Sequence, residues 1–285
     1  MKDIKTAQIG SQAERSQQTL SQIAVLHIPH SSRNVPAEER QAIRLDDVAL
    51  SNELLRMTDA YTDELFPVTP VEAAREIVPI SRLVCDVERF PSDDDEPMAG
   101  RGMGVIYTRT ALGEVLRAEP DPTGRQAVLD RWYCPHHLKF ERIVNEVVAR
   151  SGICLIIDCH SFPSVPLPYE LDQTADRADF CIGTDSFHTP AGVRDAIVEA
   201  VERKGYSVTV DAPFAGALVP LSSYRKDHRI LSVMIEVNRR LYMDESSGLK
   251  KGNFAQIAAI VGGLIVVATE AAAQQFSMPR GPIQS

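Results

Sequence analysis

Apolar runs alternate with amphipathic stretches along most of the chain. "IAVLHIPH" (23–30) is a short apolar run closed by Pro29, which predicts a buried strand ending in a loop. "PAEERQAIRL" (36–45) sets proline at a helix start with acids after it, and "SNELLRMTDAYTDELF" (51–66) has helical spacing in Leu54, Leu55, Leu65 and Phe66. "SRLVCDVERF" (81–90) reads as a strand, followed by a polar loop, "PSDDDEPMAGRGMG" (91–104), of a length that is often functional in a compact domain. Residues 126–150 form an amphipathic helical stretch with an interruption expected near Pro135. "ICLIIDCHS" (153–161) is continuously apolar before its polar end, the pattern of a strand buried on both faces. A short strand (179–184), a helix with Pro190 near its start and Gly205 at its end, and a second strand (206–214) come next. "LSVMIEVNRRLYMD" (231–244) then reads as a strand leading into a turn.

Strands alternating with helices predict one α/β domain in three layers, α/β/α, over residues 23–275. Residues 1–22 are polar and Gln/Ser-rich, without the apolar core of a secretory signal, and read as a tail; so do residues 276–285. The most apolar window (254–273) approaches membrane-spanning length. Its Gln256, Gly262-Gly263, Thr269 and Glu270 favour a packed C-terminal helix, broken at the glycines, and no membrane partner. A formal charge of −9 argues against nucleic acid as a partner. Five cysteines scattered without a CxxC pair indicate a reducing, cytoplasmic setting.

In open α/β sheets chemistry gathers at the carboxyl ends of strands. That rule singles out His30, the "DVER" of 86–89, the "DCHS" of 158–161, and Glu236 to Arg239. Imidazole is the commonest zinc ligand, and a catalytic zinc takes three protein ligands and keeps a fourth position open. His30 and His160 therefore need one more donor, for which Asp59 is preferred over Asp63 and Glu64 of the same segment. Glu236 follows the apolar Val233, Met234 and Ile235, where a carboxylate is costly without a partner. Its structural role is an ion pair with Arg239 or Arg225; its functional role is general base toward a metal-activated water. Arg89, Arg101 and Arg225 are candidates to clamp an anionic substrate through paired guanidinium–carboxylate hydrogen bonds, with Asn238 assigned beside them. Strand parity sets Asp158 on the face of His160, where it would orient the imidazole, and turns Cys159 toward the core.

Together, "HIPHSS..VP", "TDAYTDELF", "SRLVCDVERF", "GMGVIYTRT", "DCHSFPS" and "IEVNRRLYMDE" resemble the N-formylglutamate amidohydrolase family, a branch of the zinc carboxypeptidase and aspartoacylase-like hydrolases. The resemblance spans residues 23–245. It implies a zinc carboxypeptidase-like α/β/α domain around a mixed sheet, and one zinc ion per chain or another divalent metal. The implied reaction is hydrolysis of a small anionic N-acyl amino acid, typically N-formyl-L-glutamate, late in histidine breakdown. Carried over, His30, Asp59 and His160 are metal ligands, Glu236 is the catalytic glutamate and Arg89 holds the substrate carboxylate. Two positions depart from the carboxypeptidase-like relatives. Their His-x-x-Glu would put a glutamate where Arg33 stands, so the acidic ligand comes from elsewhere; and Glu88 replaces their Asn beside Arg89, in a Glu-Arg form that sequences resembling the amidohydrolase branch share. The rivals are a hydrolase of another N-acyl amino acid or peptide-like amide, a cysteine hydrolase using Cys159 with His160 or His137, and a metal-free anion-binding module.

Overall fold

The apolar run at 153–161 lies at the centre of a six-stranded sheet, in a computed structural model that describes residues 22–277. Apart from Gln22 and the end of the last helix, the two expected tails lie outside the described residues. In chain order the elements are β1 (Ala24–Ile28), α1 (Ala37–Arg40), α2 (Asp47–Met57), α3 (Thr62–Leu65), β2 (Glu72–Ile77), α4 (Pro122–Val128) and α5 (Cys134–Ser151). They continue with β3 (Cys154–Phe162), β4 (Phe180–Gly183), α6 (Ala191–Arg203), β5 (Val208–Val210), β6 (Ile230–Asn238) and α7 (Phe254–Ser277). The sheet order is β2-β1-β3-β6-β4-β5. The first four strands run parallel, and β4 and β5 run against them, so the sheet is mixed.

Strand parity sorts the side chains into two layers. Leu26, Ile157, Cys159, Val233 and Ile235 pack on one face with α6 and α7 residues such as Val193, Ile197, Val261 and Ile265. Val25, Cys154, Ile156 and Ile230 pack on the other with Phe140, Val144 and Val148 of α5. Each buried aliphatic side chain contributes roughly 1.5–3 kcal/mol. Continuing the second parity toward the carboxyl ends brings His27, Asp158, His160 and Glu236 onto one face, with His27 opposite Asp158 and His160 opposite Glu236.

The helix expected over 51–66 is two helices. Its first part ends at Met57, Thr58 is extended, and Tyr61 takes a left-handed φ of 67° before α3 begins. The break has a cause: the Asp59 N–H donates to the His30 carbonyl (3.0 Å), tying the chain to the end of β1. Residues 81–90, expected as a strand, instead make tight turns closed by Val84 N–H to Ser81 O and Arg89 N–H to Asp86 O. Leu83, Val84, Cys85, Asp86 and Val87 are all buried, so both parities face protein, and among the described residues no strand pairs with them. The pattern also gave no sign of β2, whose "EAAREI" is a half-buried edge strand. The interruption near Pro135 is a π-helical turn at Leu129–Tyr133. No break occurs in α7: Gly262 packs so closely that a Cβ there would lie 3.0 Å from Pro67 Cγ. This helix is long and apolar enough to cross a membrane, and one of its faces is buried in the domain core through Ile257, Val261, Leu264 and Ala268.

Candidate active site

The helix break, the β1 exit and the carboxyl end of β3 meet at Asp59, His30 and His160. Asp59 Oδ2 lies 3.0 Å from His160 Nδ1 and 3.7 Å from His30 Nδ1. A tetrahedral zinc with bonds of about 2.0–2.1 Å holds its donors about 3.3 Å apart. The donor set is also right for that ion, and His30 Nδ1 is a buried atom with no hydrogen-bond partner. These three residues fit a divalent metal ion. Asp63 and Glu64 do not join them: both are exposed, and Glu64 pairs with Lys250.

Each proposed ligand is held from behind. His30 Nε2 is 2.9 Å from Asp86 Oδ1, and His160 Nε2 is 3.2 Å from both Asp158 Oδ1 and Glu88 Oε1. Asp59 Oδ1 accepts from Arg239 Nη2 (2.9 Å). Such partners fix ring orientation and tautomer around a metal. Asp86 in turn accepts from Arg82 and Tyr107. Burial opposes its charge, but Arg82, His30 and Arg89 outweigh that cost and hold its carboxyl well below the usual range. Asp59 is likewise buried, yet His160 and His30 bring its carboxyl down. Burial disfavours a charged His160, while Glu88, Asp158 and Asp59 raise it well above its ordinary value.

Glu236 stands across from His160, buried, with Oε2 unpartnered. Burial pushes its carboxyl up to about 8; Asp59 and Glu88 add to this, and His160 and Arg239 offset part of it. Arg89 lies 3.6 Å from Asp86 and 3.5 Å from Glu96, and its buried Nε has no hydrogen-bond partner.

The other expected contacts fall elsewhere. Arg225 donates its backbone N–H to His188 and pairs with Asp185, beside the start of β6. Glu236 is several residues along that strand, at about 3.3 Å each, so Arg225 stands at the wrong end of the sheet. Arg101 is exposed and donates to the carbonyls of Tyr169 and Glu170, bracing that loop. Asn238 is buried, with Oδ1 accepting from Arg240 N–H and Nδ2 donating to Ala178 O, so it caps the turn after β6. Cys159 is buried in the opposite face's core with its thiol pushed far up by burial, out of reach of cysteine chemistry at the site. Two residues escaped the sequence reading altogether, His27 and Arg82, while Asp86 and Arg239 lay in the singled-out strand ends without a role beside the metal ligands. His27 carried a signal, its spacing from His30 in "HIPH" and its strand parity.

A model of the family described as N-formylglutamate amidohydrolase matches residues 23–243. Among solved structures, the N-formylglutamate amidohydrolase of Ralstonia eutropha JMP134 is similar with a TM-score of 0.72 at 21% identity, covering 88% of this chain and 94% of that one. The gene product Atu2144 of Agrobacterium tumefaciens is similar with a TM-score of 0.63 at 19% identity, covering 91% and 94%. At these identities the structural likeness speaks for the fold. No curated protein matches the chain.

Proposed function

Because the chain belongs to the N-formylglutamate amidohydrolase family, we propose that it hydrolyses N-formyl-L-glutamate to formate and L-glutamate, using a zinc ion held by His30, Asp59 and His160. The setting that fits is the cytoplasm, as part of histidine breakdown; all five cysteines are free, in keeping with a reducing compartment. The observation that carries the reading is that His30 Nδ1, Glu236 Oε2 and Arg89 Nε are among the ten buried side-chain atoms without hydrogen-bond partners among the described residues. Leaving such an atom unpaired costs about 1–3 kcal/mol, and unpaired groups in native proteins call for a functional explanation. These three belong to the residues that metal binding, proton transfer and substrate anchoring require.

When bound, zinc supplies Lewis-acid activation of water and of the formyl carbonyl. Glu236 takes a proton from the attacking water as its oxygen bonds to the formyl carbon, and returns that proton to the nitrogen as the C–N bond breaks. A carboxyl raised by burial is suited to hold and release a proton near neutrality. Arg89, whose Nε lies 3.6 Å from Asp86 without a hydrogen bond, is the guanidinium that meets a substrate carboxylate. Asp86, Asp158 and Arg239 keep the ligands aimed.

The test is formate or free-amine release from a panel of N-formyl and N-acyl amino acids, before and after chelation. Preference for N-formylglutamate with chelator-sensitive turnover is expected. Equal turnover in chelated protein would overturn the metal role, and preference for another acyl amino acid would move the substrate assignment within the same chemistry.

A further inference from the structure

Behind His160 lies a second set of donors that the proposed zinc site does not use. His27 Nδ1 is 2.9 Å from Asp158 Oδ1 and 3.5 Å from Glu88 Oε1. His160 Nε2 is 3.2 Å from each of those oxygens. These spacings surround the separation of about 3.3 Å between donors of a tetrahedral zinc.

Two further observations point to a cation here. The first is charge. Asp59 and Asp86 are paired with arginines, whereas among the described residues Asp158 and Glu88 meet only histidines within ion-pair distance. With the histidines neutral, as metal ligation requires, two largely buried carboxylates lack a counter-charge. The second is tautomerism. His136 Nδ1 faces Glu76 Oε1 at 3.6 Å, and Lys139 lies 2.7 Å from the same carboxylate. A carboxylate favours the N–H of His136 on that side, which leaves a lone pair on Nε2. His27 Nε2 lies 3.2 Å from this atom and supplies the N–H between them. With its Nε2 taken up by His136, the His27 ring holds Nδ1 aimed at Asp158 and Glu88, where a divalent cation would take the place of the Nδ1 proton.

We propose that His27, Glu88 and Asp158 form a second divalent-cation site next to the first, with the His160 Nε2–H donating to the two carboxylates between them. This goes beyond the proposed amide hydrolysis and does not rest on the identity of the substrate. The test counts ions rather than turnover, so its failure is distinguishable from failure of the functional reading. Chelator-treated protein is titrated with Zn²⁺ by calorimetry, and bound zinc is measured after desalting. The wild type should take two equivalents in two steps; folded His27→Gln and Asp158→Asn should each take one. His136→Phe should weaken the second step about 10–100-fold, the usual cost of losing a group that orients a ligand. Circular dichroism reports folding, and if one variant is unfolded the other decides. A single equivalent in the wild type, or a folded variant that keeps both ions or loses both, overturns the proposal.

Discussion

Glu236→Gln separates the two consequences of the buried carboxylate, because it removes the charge and keeps the shape. In the metal-free protein burial pushes Glu236 up to about 8 from its ordinary 4.5. Between those values the folded chain keeps a proton that the unfolded chain has released. Folding therefore loses stability as pH rises through that window, the reverse of the behaviour of a salt-bridged carboxylate. At about 1.4 kcal/mol per pH unit, the loss is about 3 kcal/mol near pH 7 and about 5 kcal/mol above pH 8. Glutamine has no proton to release. Metal-free Glu236→Gln should thus be more stable than the wild type by about 3 kcal/mol near pH 7, or about 6–12 °C in Tm for a chain of this size.

The assay is thermal unfolding of both chelated proteins from about pH 5 to 8.5, followed by circular dichroism, with formate release measured on the metal-loaded forms. The two Tm curves should nearly meet at the acid end and separate as pH rises, while turnover falls by at least the factor of about 10²–10⁴ that a general base supplies. Parallel Tm curves would refute the burial argument. Full turnover would refute the catalytic one.

Asp59→Asn should cost the protein its tightly bound metal by more than the roughly 10–100-fold attached to an outer partner; metal analysis after desalting checks it, and full occupancy would return the acidic ligand to question. Arg89→Lys should raise KM with kcat largely kept, while Arg225→Ala, which removes a guanidinium from the far end of the sheet, should leave both unchanged; a KM effect at Arg225 alone would reverse that assignment. Burial, helped by nearby His136, pushes His137 down to about 4 from 6.5, and its Nε2–H donates to the Val87 carbonyl. Because the unfolded chain takes up that proton first on acidification, stability present above pH 6.5 should fall by about 3 kcal/mol toward pH 4, and His137→Gln should flatten this loss in urea midpoints measured across the range.

How much of this was legible depended on whether a residue's place follows from local periodicity. His30, His160 and Glu236 end apolar runs, and in a sheet of parallel strands such ends share one rim. Asp158 and Cys159 were assigned to opposite faces by parity alone, and they lie there. Asp59 was one of three acids in a segment whose spacing looked helical throughout. What selects it is a long-range hydrogen bond to His30 O that breaks the helix, and no local pattern encodes that bond. The Asp86 region misled for a related reason: a stretch buried on every side looks like a strand, although turns present its carboxylate. Arg225 has the chemistry of a carboxylate clamp, but it precedes β6 and so stands at the opposite end of that strand from Glu236. Arg239 was considered only as a partner for Glu236, whereas the turn after β6 swings it onto Asp59.

Glu88, directly beside the proposed substrate clamp Arg89, raises an electrostatic problem that the structure resolves. Two adjacent residues of opposite charge would normally neutralise each other, leaving Arg89 a poor anchor for a carboxylate. Here the turn after Asp86 sends them apart. Arg89 reaches toward Asp86 and Glu96, while Glu88 turns to His27, His30 and His160. Glu88 is buried enough that its charge is opposed by desolvation, yet His160 and His30 hold its carboxyl well below the usual range. Its negative charge therefore lies on the imidazole side, turned away from the guanidinium. Replacing Glu88 by Asn should change cation binding at the histidines, while leaving the substrate KM within about threefold, the scatter expected of a change worth well under 1 kcal/mol. A large rise in KM with metal content intact would show that Glu88 acts on the substrate and not on the histidines.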